Sequence, residues 1–212
     1  MRGTRIKVVG LALVALFAIG VVASASASAA ELTPFPNTFK ISGTKSTFET
    51  KSGEKVVCEA VSGSGEVTSA KAGTATISFT SCEAFGFKCK TKGAKGGEII
   101  LKVSTEVVDI NKAKNEVGNI NKLTEELTIE CTVLQKLKVK GATLCPITPT
   151  GKGTVFTVTC KETKGVQEPT KYEGGEAITE TKGEGLKTFA FEQSALSGTD
   201  TLTFAKEGEL KA

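Results

Sequence analysis

Two serine–lysine pairs stand at the Ser-x-x-Lys spacing, Ser42 with Lys45 and Ser52 with Lys55. A lysine amine that gives up its proton can activate a nearby serine hydroxyl. No other nucleophile–base pair of the familiar kind is open to this chain, because it contains no His. That absence removes Ser–His and Cys–His pairs, imidazole acid–base catalysis and the usual His-containing zinc sites. Neither serine sits at a helix start, and the Ser-Asp-Asn and Lys-Thr-Gly partners of penicillin-binding enzymes are missing. Carboxylates are the other chemical resource. Of 23 acidic residues only Asp109 and Asp200 are aspartates, so 21 are Glu, enough to supply the carboxylate pair of a glycosidase. Glu59, Glu98 and Glu130 lie in or beside strand-like runs, where they read as outward-facing solubilising charges. The stretch beginning "DINKAKNEVG" has Asp109 and Asn111 at calcium-loop spacing. Ala113 then occupies the next ligand position and Lys114 the turn glycine, so a hairpin turn is expected instead of a calcium site. "SGSGE" (Ser62 to Glu66) reads as a turn. "TPTGKG" lacks the first glycine of a phosphate loop, with Pro146 in its place.

Composition narrows the partners. Both arginines, Arg2 and Arg5, lie in the first seven residues with Lys7, so three of 27 basic residues belong to the leader and 24 face 23 acidic ones beyond it. A near-neutral chain has no general electrostatic claim on nucleic acid or anionic membrane. Without Arg there is no bidentate grip on phosphate, and with no Trp and one Tyr, Tyr172, a stacking platform would have to be built from Phe alone. No cofactor and no metal site is implied.

The elements that must position these residues begin after a targeting segment. "MRGTRIK" is a basic n-region, "VVGLALVALFAIGVVA" an apolar stretch, and "SASASAA" a small-residue cleavage region. Residues 1–29 are expected to be a cleaved signal peptide, with Ala27-Ser28-Ala29 as the A-x-A site and cleavage after Ala30 as the alternative. The uncleaved alternative is a membrane anchor, since a span needs roughly 20 apolar residues. No later run is apolar enough to span a bilayer. Residues 30–212, 183 of them, are expected to form one domain.

Alternation dominates that domain. "TATISFT" places Ala75, Ile77 and Phe79 on one face, and "EIILKVSTEVVDI" does so with Ile99, Leu101, Val103 and Val107. Leu127, Ile129, Cys131 and Val133 follow, then Leu137 with Val139, and Phe156, Val158 and Cys160. "TFAFEQ" and "TLTFA" read as a final pair. Gly, Ser, Asn and Lys punctuate the runs. The expected fold is all-β, an antiparallel β-sandwich or barrel of about ten to twelve short strands. Lys114 to Leu127 is the one rival helix, weakened by Gly118 and by β-branched residues. Lys164 to Glu176 is expected to be an exposed loop.

Six cysteines in an exported chain read first as a disulfide framework. Strand phase points Cys58 and Cys131 into the same apolar layer. Cys82 and Cys89 flank a six-residue turn, and Cys145 and Cys160 flank another. The expected pairs are Cys82–Cys89, Cys145–Cys160 and Cys58–Cys131. Cys-x6-Cys is neither a zinc knuckle nor a Cys-x-x-Cys redox motif, although Lys88 and Lys90 beside Cys89 could lower a thiol's pKa.

At "FTSCEAFGFKCKTKGAKGGEI", "VVDINKAKNEVG", "VKGATLCPITP" and "GVQEPTKYEGG" the chain resembles a group of secreted actinobacterial proteins. The resemblance covers most of the chain after the leader. It implies an exported protein, one of several related copies, with no established biochemical activity. Against that pattern Cys145 and Cys160 look like additions to a set of four cysteines, which fits their pairing with each other. The expected role is a secreted, non-catalytic binding or structural module of the cell envelope or extracellular space, with an unknown partner there. The alternatives are a small barrel carrying an apolar ligand and a hydrolase using Glu residues or a Ser–Lys dyad.

Overall fold

A chain that alternates this regularly has little choice but to pair its strands, and a computed structural model shows how. It describes residues 30–132, 136–183 and 191–212. The expected signal peptide, Val133 and the first half of "TFAFEQ", residues 188–190, lie outside the described residues. The strands are β1 (Glu31–Thr33), β2 (Asn37–Gly43), β3 (Ser46–Thr50), β4 (Lys55–Cys58), β5 (Ala60–Val67) and β6 (Ala72–Thr80). Next come β7 (Glu83–Ala84), β8 (Phe87–Thr91), β9 (Ile99–Asn111), β10 (Glu116–Leu123), β11 (Leu127–Cys131) and β12 (Leu137–Thr148). The series ends with β13 (Gly151–Thr163), β14 (Val166–Glu168), β15 (Lys171–Tyr172), β16 (Gly175–Glu176), β17 (Thr179–Gly183) and β18 (Glu192–Lys211). The fold is all-β and antiparallel, with more strands than expected because several are very short.

The pairings close twice. In the first ring β9, β6, β5, β2, β18, β13, β12 and β10 follow one another and β10 returns to β9. In the second, β18, β3, β4, β7, β8, β11, β12 and β17 close back on β18. Strands β12 and β18 run through both rings. Ser194–Ser197 of β18 pair with β3, and Asp200–Phe204 pair with β2. On β12, Leu137–Gly141 pair with β17 and Ala142–Ile147 with β10. Gly141 marks that changeover at φ 107°, and a Cβ there would collide with the Ile178 carbonyl. Only glycine meets both demands. The expectation of "TFAFEQ" and "TLTFA" as two separate strands is therefore corrected for the described residues, since Glu192 and Gln193 lie on the same continuous strand, Glu192–Lys211, as Thr201–Ala205.

One core fills both rings. Ala75, Ile77 and Phe79 are buried from β6, Phe39 and Ile41 from β2, Phe156, Val158 and Cys160 from β13, and Leu202 and Phe204 from β18. Phe204 lies 5.2 Å from Phe39 and meets Phe156 edge to face at 5.5 Å, a favoured aromatic geometry.

The rival helix does not form. Asn111 caps a single 3-10 turn at Lys112–Lys114, Asn115 takes the left-handed conformation at φ 56°, and β10 begins at Glu116. The hairpin-turn reading of this stretch holds. Gly118 sits on β10 because Leu144 and Ile110 press against its backbone, within 3 Å of where a Cβ would stand. These residues belong to a satellite cluster with Val108, Ile120 and Ala177, on which Tyr172 packs.

The expected exposed loop from Lys164 to Glu176 needs correction. Residues 166–168 form β14 against β13, and β15 pairs with β16 as a small hairpin. Gln167 is 2% exposed. Its amide donates to the carbonyls of Lys161 and Leu196, and its oxygen accepts from the Leu196 N–H. The polar composition of the stretch concealed a side chain used to satisfy buried backbone.

Candidate functional site

The cysteines organise the second ring. Three disulfides join Cys58 to Cys82, Cys89 to Cys131 and Cys145 to Cys160. The last is the expected pair. The expected Cys82–Cys89 and Cys58–Cys131 pairs are corrected, and strand register supplies the reason. Val57 stands opposite Glu83, which sets Cys58 opposite Cys82. Glu83 stands opposite Lys88, which sets Cys82 opposite Cys89, and Cys89 stands opposite Cys131. Four cysteines thus form one row across β4, β7, β8 and β11. Cys58 and Cys131, at its ends, are three strand spacings apart, about 14 Å, too far to bridge.

Within the row the backbone hydrogen-bond pattern decides. Cys89 N–H donates to the Cys82 carbonyl at 2.9 Å. That makes 82/89 a hydrogen-bonded pair, the kind whose Cα atoms stand about 5.5 Å apart. The bridged pairs have Cα separations of 4.0 and 4.1 Å, close to the roughly 4.5 Å of non-hydrogen-bonded neighbours. Trypsin can check this, because Lys88 separates Cys82 from Cys89. Non-reducing digestion should link peptide 56–71 to 72–88 and peptide 89–90 to 123–136. A 72–88 peptide joined to 89–90 would contradict the structure.

Between the two inner cysteines projects the β7–β8 hairpin. Its turn has two residues, Phe85 and Gly86, at φ 51° and 81°, the pattern of a type I′ turn. A bulky side chain at positive φ costs energy that Asn or Gly would not. Phe85 is nonetheless present and 69% exposed, and Phe87 beside it is 40% exposed. Both strands of the hairpin are bolted to their neighbours by Cys82 and Cys89. The tip is an apolar prominence on a rigid base, and the quoted Phe79–Ile99 stretch contained it without revealing its exposure.

The interior offers a second feature. A cavity of about 100 Å³ is lined by Val56, Ile77, Leu101, Leu127, Ile129 and Val139 among others, with Asn121 and Asp200 among its polar members. A smaller void of about 50 Å³ shares Ile77, Asn121, Val158 and Asp200. Burial pushes the Asp200 carboxyl up to about 6, and its Oδ1 has no hydrogen-bond partner among the described residues. Pockets for drug-sized ligands run to several hundred Å³, so this space admits only a compact molecule.

The residues singled out for chemistry fall apart. Ser52 donates its hydroxyl to Glu192 at 2.5 Å, while Lys55 pairs with Glu49 at 2.8 Å. The hydrogen bond to Glu49 raises the Lys55 pKa and lowers that of Glu49, the opposite of what a lysine base requires. Ser42 and Lys45 are both exposed at the β2–β3 turn. Glu59 is exposed, Glu98 accepts from the Ser78 hydroxyl, and Glu130 pairs with Lys136. Glu54 was not foreseen, and its carboxyl is raised by burial and then by the charge of Glu192. The described residues contain no cluster of three or more metal-ligating side chains. Asp109 is buried and accepts a hydrogen bond from the Ala30 N–H through Oδ2 at 3.1 Å.

Among the described residues no helix is long and apolar enough to cross a membrane. Compared with protein-family models, curated proteins and solved structures, the chain finds no match in any of the three.

Proposed function

We propose that this protein is an exported, non-catalytic binding module that engages a partner in the cell envelope or extracellular space through the Phe85–Phe87 hairpin tip. One observation carries the reading. An aromatic side chain sits strained and exposed at φ 51°, on a hairpin held by two disulfides, where folding alone would favour Asn-Gly. Local strain of this kind concentrates at sites of function. Exposed aromatics on a pre-organised base also lose little conformational entropy when buried by a partner. Export by a cleaved leader, residues 1–29, belongs to the same proposal. Three disulfides fit an oxidising compartment, and the likeness to secreted actinobacterial proteins agrees with it.

Phe85→Asn tests the reading, because stability and binding should move in opposite directions. Relief of the left-handed strain should stabilise the fold by about 1 kcal/mol. Retention of the purified protein on sedimented envelope of the producing cells should meanwhile weaken by about tenfold, the loss of one exposed aromatic anchor. Unchanged retention would remove the tip from the proposal.

A second reading, a carrier of a compact apolar ligand, is favoured by the cavity of about 100 Å³, with Asp200, whose Oδ1 has no hydrogen-bond partner among the described residues, at its wall. The small volume limits the ligand to about the size of a single ring.

A further inference from the structure

We propose that removal of the leader creates a buried ion pair, between the new α-ammonium group of Ala30 and the Asp109 carboxylate, that locks the N-terminal strand into the fold. The inference rests on the reading that the chain is exported with a leader cleaved after residue 29, and it adds what that cleavage accomplishes.

The geometry is already in place. Ala30 has no exposed surface and Asp109 is 6% exposed. The Ala30 nitrogen donates to Asp109 Oδ2 at 3.1 Å, while the buried Oδ1 has no hydrogen-bond partner among the described residues. As a peptide amide, that nitrogen brings one proton and no charge. A buried carboxylate so poorly compensated is expensive to keep. Cleavage immediately before Ala30 changes the supply. Water adds across the peptide bond, its hydroxyl going to the carbonyl carbon of the leader and its hydrogen to the Ala30 nitrogen. That nitrogen then takes a proton from solvent, as an α-amine does at neutral pH. The result is an ammonium group with three donors and a full positive charge beside a carboxylate with an oxygen to spare.

The next residues carry the effect into the fold. β1 follows at once, pairing Glu31, Leu32 and Thr33 with the end of β18. Leu32 is buried, and its N–H donates to the Ala70 carbonyl at 2.7 Å. The structure thereby chooses between the two cleavage positions open in the sequence. Cleavage after Ala30 would discard the atom that meets Asp109. It also orders events: a peptidase needs an extended, accessible substrate, so cleavage precedes the docking of β1.

N-terminal sequencing of the exported protein should find Ala30 first. A start at Glu31 would overturn the inference and leave export intact, whereas a leader retained on the chain would overturn both. The pair itself is tested by a cycle in which the chain starting at Ala30, and the same chain with one Gly added before Ala30, are each compared with and without Asp109→Asn. The substitution should lower the melting temperature of the Ala30 chain by roughly 6–15 °C and that of the extended chain by less than half as much. Equal losses in both would overturn the ion pair. Should the Asp109→Asn chains not fold, the wild-type protein suffices. An α-amine-selective aldehyde should label the folded chain at least about tenfold more slowly than the urea-unfolded one, and equal rates would overturn the proposal.

Discussion

Replacing Cys89 and Cys131 together with Ala should destabilise the protein by about 4 kcal/mol, and the Cys145→Ala/Cys160→Ala pair by about 3, as upper figures from loop entropy. The separations are 42 and 15 residues, and the Cys58–Cys82 bridge, at 24, should fall between them at about 3.5 kcal/mol. Seam strength sharpens the expectation. β4 meets β7 through one residue pair, β12 meets β13 through two, and β8 meets β11 through three, whereas β5–β6, β6–β9 and β9–β10 each have eight. The disulfides cross thin seams, where the hydrogen-bonded ladder alone holds least. Losses of this size are a large part of the 5–15 kcal/mol typical of a folded domain. Urea unfolding of the double variants measures them. Hydrogen exchange locates them, since removing Cys89–Cys131 should speed exchange of residues 83–91 while residues 143–147 keep their protection. An equal loss of protection in both segments would show that the rings do not open separately.

The same seams mark the limit of what the sequence disclosed. Alternation reported the inward face of β6, β9 and β13 residue by residue, because period-two hydrophobicity is a local property. Register between distant strands is not local. Nothing in the residues around Cys58 says that β4 will lie beside β7, so a near neighbour in sequence, Cys89, looked like the natural partner for Cys82. The two do lie opposite each other, but at a hydrogen-bonded position, and the sulfurs bond outward to the closer neighbours instead. Cys145 and Cys160 were legible because their strands are adjacent in sequence and in space. The exposed Phe85 was hidden for a different reason. "AFGF" reads as more apolar residues in a β-rich chain, and only the two-residue turn explains why Phe85 at its apex, with Phe87 beside it, faces solvent. Asp109 and Asp200 stood out as the only aspartates, yet composition could not show that both are withdrawn from water. Gln167 was missed for the converse reason, a polar residue assigned to solvent that in fact serves buried backbone.

Asp200 gives the clearest pH signature. Its side chain fills the space left by the missing Cβ of Gly43, its partner in register on β2, and burial pushes its carboxyl from 3.8 up to about 6. A raised folded-state pKa means that the folded protein holds this proton more tightly than the unfolded chain does. The stability it contributes is present below about pH 4 and is lost as pH rises through 6. Charging Asp200 above pH 6 should therefore cost about 2–3 kcal/mol. Asp200→Asn keeps the shape and cannot ionise, so it should match the wild type near pH 4 and exceed its stability by that amount at pH 7.5. Denaturation curves at half-unit steps between the two provide the measurement. Carboxylates held low in the fold, such as Glu49 beside Lys55, act in the opposite sense, losing their contribution as pH falls. The difference between the two proteins, not the wild-type curve alone, isolates Asp200. Parallel curves would mean that the carboxyl finds solvent or a cation in solution, and the interior void would then be wetter than its apolar lining implies.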